Sequence, residues 1–87
     1  NRRILRGGEA LELTETEYSI LQFLADHRGS VVSVAQIYEG VWHEKYMPAS
    51  NNTVMVHIRR LRGKMKEDTR QNKIITTVWG VGYKIEK

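Results

Sequence analysis

The chain contains no cysteine. That excludes a disulfide framework, a thiolate metal site and a cysteine nucleophile. No apolar run approaches the length of a membrane span, and no signal peptide is visible, so the expected compartment is the cytoplasm and no membrane partner is expected. Paired carboxylates, a phosphate-cradling glycine-rich loop and a histidine placed beside a nucleophile by a motif are all missing, which argues against an enzyme. The three histidines, His27, His43 and His57, are scattered without His-x-x-x-His spacing, so neither a metal nor another cofactor is expected. Proline occurs once, as Pro48. Repeats, low-complexity tracts and an internal linker are also lacking, and 87 residues suffice for one domain with a modest core.

Acidic residues are scarce in the second half. Residues 1–50 carry five Lys/Arg against seven Asp/Glu, a net of −2, whereas residues 51–87 carry nine against three, a net of +6. This asymmetry suggests one surface that faces a polyanion, although a solvated basic face is an equally common cause of such a balance.

The basic half contains the segment that says most. Residues 50–66 read as one helix with two unlike faces. At 100° per residue, Val54, Ile58, Leu61 and Met65 fall on a narrow stripe with the 4-3-4 spacing of a buried seam. Asn52, Val56, Arg59, Arg60 and Gly63 fall opposite. Thr53, His57 and Lys64 line one flank, Arg62 and Lys66 the other. A helix that packs by one face and offers arginines and a small apolar side chain on the other is shaped for a DNA major groove.

The flanking segments supply a frame. Arg3 to Leu13 reads as a hairpin turning at Gly7-Gly8, a pair that tolerates the positive φ of a tight turn. The chain opens inside this pattern without Met, which predicts a fragment of a larger N-terminal sheet. Thr14 with Glu17 is a capping box that opens a helix running to about Arg28, with Gly29 as its C-cap. Val31-Val32 is too short for an independent strand but could add a rung elsewhere. Ser33 with Gln36 repeats the capping box and opens a second helix through Val41 and Trp42, slightly weakened by Gly40.

His43 to Ser50 is a loop, and Ser50 or Asn51 caps the basic helix, placed at about 51–66. Glu67 to Asn72 is a polar connector. Ile74 to Val78 and Tyr83 to Ile85 form a last hairpin across Trp79-Gly80-Val81-Gly82, at about 74–86. The order predicts an α+β winged helix-turn-helix: three helices, an N-terminal antiparallel sheet that is partly truncated, and a C-terminal β-hairpin wing.

Five stretches in this order carry a family resemblance. They are residues 13–18, residues 29–33, Val41-Trp42, residues 52–62 and residues 77–83. Together they span nearly the whole chain, which resembles the C-terminal effector domain of OmpR/PhoB-type response regulators from bacterial two-component systems. Its tail from Thr77 is also similar to regulators of Gram-positive bacteria, including vancomycin-resistance regulators. The resemblance implies a phosphorylatable receiver domain upstream, served by a sensor kinase, and a four-stranded N-terminal sheet. It also implies binding of a direct-repeat operator in double-stranded DNA beside a second copy in tandem, and a loop that touches RNA polymerase.

Residue roles follow from the helix face and the resemblance together. Arg60 lies on the outward face; its guanidinium fork matches guanine O6/N7, and the resemblance also puts a base-contacting arginine here. Val56, on the same face, suits a thymine methyl, or is an ordinary surface hydrophobe. Thr53, His57, Arg59 and Arg62 are assigned to phosphates. Lys64 and Lys66 lie further along and read as solvated. Asn52 stands where arginine is frequent in the family and keeps a neutral donor. Trp42 either puts its indole N–H on a phosphate, as the resemblance implies, or packs in the core, the commoner fate of such a tryptophan.

In the wing, Thr77 and Tyr83 keep hydroxyls within reach of phosphates, and Gly80 and Gly82 serve turn geometry. Trp79 stands where many members carry an arginine that enters the minor groove. It either lies against sugar and backbone or packs on the domain. Glu44, Lys45, Tyr46 and Met47 form the candidate polymerase-contact loop, with Tyr46 and Met47 as its apolar contacts, unless the loop is a mere connector. The competing function is a protein-interaction winged helix whose basic helix meets an acidic partner.

Overall fold

A computed structural model describes residues 2–6, 8–65 and 74–86. Two antiparallel strands open it: β1 (Arg2–Arg6) and β2 (Glu9–Leu13), paired in register from Arg2 opposite Leu13 to Arg6 opposite Glu9. The register leaves a two-residue loop in which Gly8 has φ 83°, the left-handed conformation that glycine adopts without steric cost. Gly7, the other half of the expected turn, lies outside the described residues, as do Lys66 and the connector from Glu67 to Asn72.

Both capping boxes form. Helix α1 (Glu15–Asp26) starts with the Glu17 N–H donating to Thr14 Oγ1 at 3.1 Å and the Thr14 N–H donating to Glu17 Oε1 at 3.0 Å. Helix α2 (Val34–Trp42) repeats the pattern with Ser33 and Gln36 at 3.0 and 2.8 Å. The end of α1 differs from expectation: His27, not Gly29, is the C-cap. Gly29 has φ 88°, and its N–H donates to the Ile85 carbonyl at 2.8 Å, so this glycine turns the chain toward the last strand.

Helix α3 (Ser50–Lys64) also begins differently. Its N-cap is Ala49, with no side-chain cap bond, in place of Ser50 or Asn51. The preceding turn explains why. The Ser50 N–H donates to the Met47 carbonyl at 2.7 Å and the Asn51 N–H to the Pro48 carbonyl at 3.2 Å, so the first donors are already satisfied by backbone.

Strands β3 (Ile75–Val78) and β4 (Gly82–Ile85) form the closing hairpin, with Val78 opposite Gly82. The Val81 N–H donates to the Val78 carbonyl at 2.9 Å, and Gly80 has φ 79° at the turn position that demands it. Val32 supplies the anticipated extra rung, exchanging two hydrogen bonds with Tyr83 at 2.8 and 2.9 Å. Gly82 therefore does more than shape a turn, because a Cβ there would collide with the Val32 carbonyl. Gly40 likewise makes room where the Phe23 ring of α1 lies against α2.

The core lies where the three helices meet the two hairpins. Ile20 and Leu24 from α1, Ile37 from α2, and Val54, Ile58, Leu61 and Met65 from the third-helix segment pack with Leu13, Val32, Ile75 and Tyr83. The whole predicted seam of α3 is buried, and each such side chain contributes roughly 1.5–3 kcal/mol by leaving water. The architecture is the expected α+β arrangement of three helices followed by a hairpin.

Candidate nucleic-acid interface

Burying the seam of α3 turns its opposite side outward. Asn52, Arg59, Arg60 and Gly63 are exposed, and Val56 is half-buried on the same face. The two flanks of the helix are held by different elements, and each flank gathers residues that the sequence left separate.

Toward α2, His57 and Trp42 meet with ring centroids 5.4 Å apart and nearly perpendicular planes, and His57 Nδ1 lies 2.7 Å from the Thr53 carbonyl. Trp42 is stacked on Tyr38 at 5.0 Å and is half-buried against the core. Toward the wing, Arg62 Nη2 donates to the Ile75 carbonyl at 2.8 Å and to Thr77 Oγ1 at 2.7 Å. The same guanidinium lies 5.5 Å from the centre of the Tyr83 ring. Arg62, Thr77 and Tyr83, expected as separate phosphate contacts, thus form one unit that ties α3 to the wing. Tyr83 is only 8 % exposed, because its ring is part of the core.

Lys64 corrects a second expectation. It is not a solvated cation: its Nζ lies 2.6 Å from Glu17 Oε1, and Glu17 is 2 % exposed. Burial by itself pushes the Glu17 carboxyl up. The hydrogen bond from Lys64, the Thr14 contacts and the charge on Lys64 outweigh that effect and hold it below the ordinary carboxylate value. Sequence reasoning took Glu17 only as a capping residue, and no local signal links it to a lysine 47 positions away.

The loop between α2 and α3 is held at several points. Tyr38 donates to Glu44 Oε1 at 3.0 Å, the Tyr46 N–H donates to Glu39 Oε2 at 2.9 Å, and the Tyr46 hydroxyl donates to Asn51 Oδ1 at 3.4 Å. Tyr46 is therefore turned inward, half-buried, while Glu44, Lys45 and Met47 stay exposed. At the wing tip Trp79 is 89 % exposed and Val81 58 % exposed. Of the two fates open to Trp79, packing on the domain is not the one observed. An open groove of about 390 Å³ runs between this tip and Tyr46, Asn51 and Met55. Sequence reasoning missed Met55, which sits 40 % exposed beside that groove. Among the described residues no cluster of His, Asp and Glu could hold a metal ion, and no helix is long and apolar enough to cross a membrane.

This geometry has close relatives. Residues 8–85 match the family model described as transcriptional regulatory protein, C terminal. The regulatory protein VanRc of Enterococcus gallinarum is 55 % identical over 80 residues, which are 92 % of this chain and 34 % of that protein. The regulatory protein VanR of Enterococcus faecium is 52 % identical over 77 residues, 88 % of this chain and 33 % of its own length. The chain thus spans about a third of the length of these curated relatives. Among solved structures, the Klebsiella pneumoniae RstA DNA-binding domain in complex with the RstA box superposes with a TM-score of 0.86 at 27 % identity, covering 98 % of this chain and 83 % of that one. The DNA-binding domain of CpxR from Escherichia coli superposes with a TM-score of 0.80 at 31 % identity, covering 97 % and 81 %. A family model that covers almost the whole chain, together with relatives at more than half identity, leads to one conclusion: this chain belongs to the C-terminal domain family of transcriptional regulatory proteins.

Proposed function

We propose that this chain is the sequence-specific double-stranded-DNA-binding effector domain of a two-component response regulator, acting in the bacterial cytoplasm to control transcription. The observation that carries this reading is the division of α3: one stripe is wholly buried, and the opposite face presents Asn52, Arg59 and Arg60 to solvent. The RstA domain that superposes on this chain is a DNA-binding domain solved in complex with the RstA box, which supports DNA binding here. Membership of this family makes the chain a regulatory domain rather than an enzyme, and the family likeness favours DNA over an acidic protein partner.

In this reading α3 enters the major groove, where Arg60 reads a guanine and Val56 meets a thymine methyl. Arg59 and Asn52 contact backbone on the outward face. Trp42, Thr53 and His57 form a backbone contact on one flank, and Arg62, Thr77 and Tyr83 another on the wing side. Trp79 lies against sugar and backbone at the wing tip. The loop carrying Glu44, Lys45, Tyr46 and Met47 meets RNA polymerase. A receiver domain upstream, phosphorylated through a sensor kinase, brings two copies together on a direct repeat. Their contacts then add through effective concentration, so one copy alone binds modestly.

Selection from random duplex DNA, followed by salt titration of the winning site, tests the proposal. The expected result is two direct half-sites about one helical turn apart and an affinity that falls steeply with salt. Enrichment of no motif, with tight binding to an acidic protein instead, would overturn it.

A further inference from the structure

His57 carries a constraint that its assignment to a phosphate does not use. Its Nδ1 lies 2.7 Å from the Thr53 carbonyl, one turn earlier on α3. A carbonyl oxygen only accepts, so Nδ1 carries the proton; a proton on Nε2 alone would set two lone pairs against each other at that distance. Nε2, at the far end of the ring, then holds a lone pair whenever the imidazole is neutral. A neutral His57 offers a phosphate oxygen no donor there. Only the imidazolium presents an Nε2–H, and its bond to a phosphate is charge-assisted.

The Trp42 ring lies 5.4 Å from the His57 ring and nearly perpendicular to it. The charged and titratable groups on the elements around His57 are of both signs. On α3, Arg60 follows by about one turn, and Lys64 by two with its ammonium on Glu17 of α1. From α1, Glu15 lines a cleft together with Trp42. At the end of α2 stand His43 and Glu44, the latter accepting from Tyr38.

We propose that His57 is a proton-dependent phosphate contact: only when protonated does its Nε2–H bind a backbone phosphate, so duplex binding takes up one proton from solvent at this ring. The proposal rests on the reading of α3 as the DNA-facing helix and adds a regulation to it. Binding to DNA tightens as pH falls through the histidine range.

Because a phosphate contact does not read sequence, the test needs no operator. Affinity of the chain for a fluorescein-labelled random-sequence duplex is measured at fixed salt between about pH 5.5 and 8.5, the span in which a histidine changes charge. The expected result is an affinity that falls as pH rises, with a limiting slope of about tenfold per pH unit for one proton. The salt slope is expected to be steeper by about one phosphate contact on the acid side. His57→Gln, whose distal amide donates at every pH, is expected to flatten the profile, whereas His27→Gln and His43→Gln keep it. Should His57→Gln melt below the assay temperature, the permanently charged His57→Arg replaces it, with acid-side affinity expected throughout. A flat profile for the unsubstituted chain, or a slope that survives His57→Gln or His57→Arg, overturns the proposal while leaving the DNA reading intact. Failure to bind duplex at any pH overturns both.

Discussion

Arg59 and Arg60 are sequence neighbours, and both are exposed on α3, yet they have different tasks in the proposed complex. Arg60 stands on the shoulder of the outward face toward Thr53 and His57, where its guanidinium fork is assigned to two base acceptors. Arg59 stands on the opposite shoulder, toward Arg62, where it is assigned to the phosphate chain. Arg60→Ala is expected to cost about 1–3 kcal/mol on the selected site and to relax one base position. Arg59→Ala is expected to weaken every sequence alike and to lower the salt slope by about one unit. Fluorescence-anisotropy titrations on the selected and a scrambled duplex check both, and equal losses on the two duplexes for Arg60→Ala would remove its reader role. These two side chains were legible in the sequence because helical periodicity alone puts them opposite a hydrophobic stripe. Lys64 was not. Its partner Glu17 belongs to another helix, and periodicity is silent about what faces a flank.

Val32 and β4 are joined by hydrogen bonds that bring backbone close to backbone. Val32 pairs with β4 only because Gly82 has no side chain: the space a Cβ would need is filled by the Val32 carbonyl and the Ser33 backbone. Gly82→Ala is therefore expected to destabilise the domain by about 1–3 kcal/mol, since main chain must shift to admit it. Gly63 offers the contrast, with open space around it inside α3. Gly63→Ala is expected to stabilise by about 0.5–1 kcal/mol through helix propensity. Thermal melts followed by circular dichroism check the pair, and equal shifts would mean that the strand does not pack on Val32 as described. The capping boxes were readable in advance because each is complete within four residues. The Ala49 cap of α3 was not, because the turn from Met47 to Ser50 satisfies donors that a side chain would otherwise serve.

Across the molecule, Glu17 and Lys64 join the start of the first helix to the end of the third. The Glu17 carboxyl titrates below its ordinary value. A group lowered on folding contributes stability that is fully present above its unfolded value and is lost as pH falls through the folded one. Acid is thus expected to weaken the domain from about pH 4.3, the unfolded value of a glutamate, downward. Denaturant unfolding at stepped pH checks this, and Glu17→Gln is expected to flatten the acid limb; parallel profiles for the two proteins would show that another carboxyl sets it. Lys64→Ala leaves the carboxylate buried beside the Thr14 donors alone and is expected to cost about 1–3 kcal/mol at neutral pH.

Local rules therefore carried the sequence reading a long way. Hydrophobic spacing, capping boxes and glycine turns act within a few residues, so they were sufficient for the order of elements, the buried seam of α3 and the basic outward face. They could not say which flank residues meet. The Arg62–Thr77 bond spans 15 positions and the Lys64–Glu17 pair spans 47, and such partners are chosen by how helices and wing pack. Exposure at the wing tip was settled in the same way. A tryptophan's composition allows burial or solvent equally, and Trp79 is exposed because the turn at Gly80 carries it beyond the packed strands.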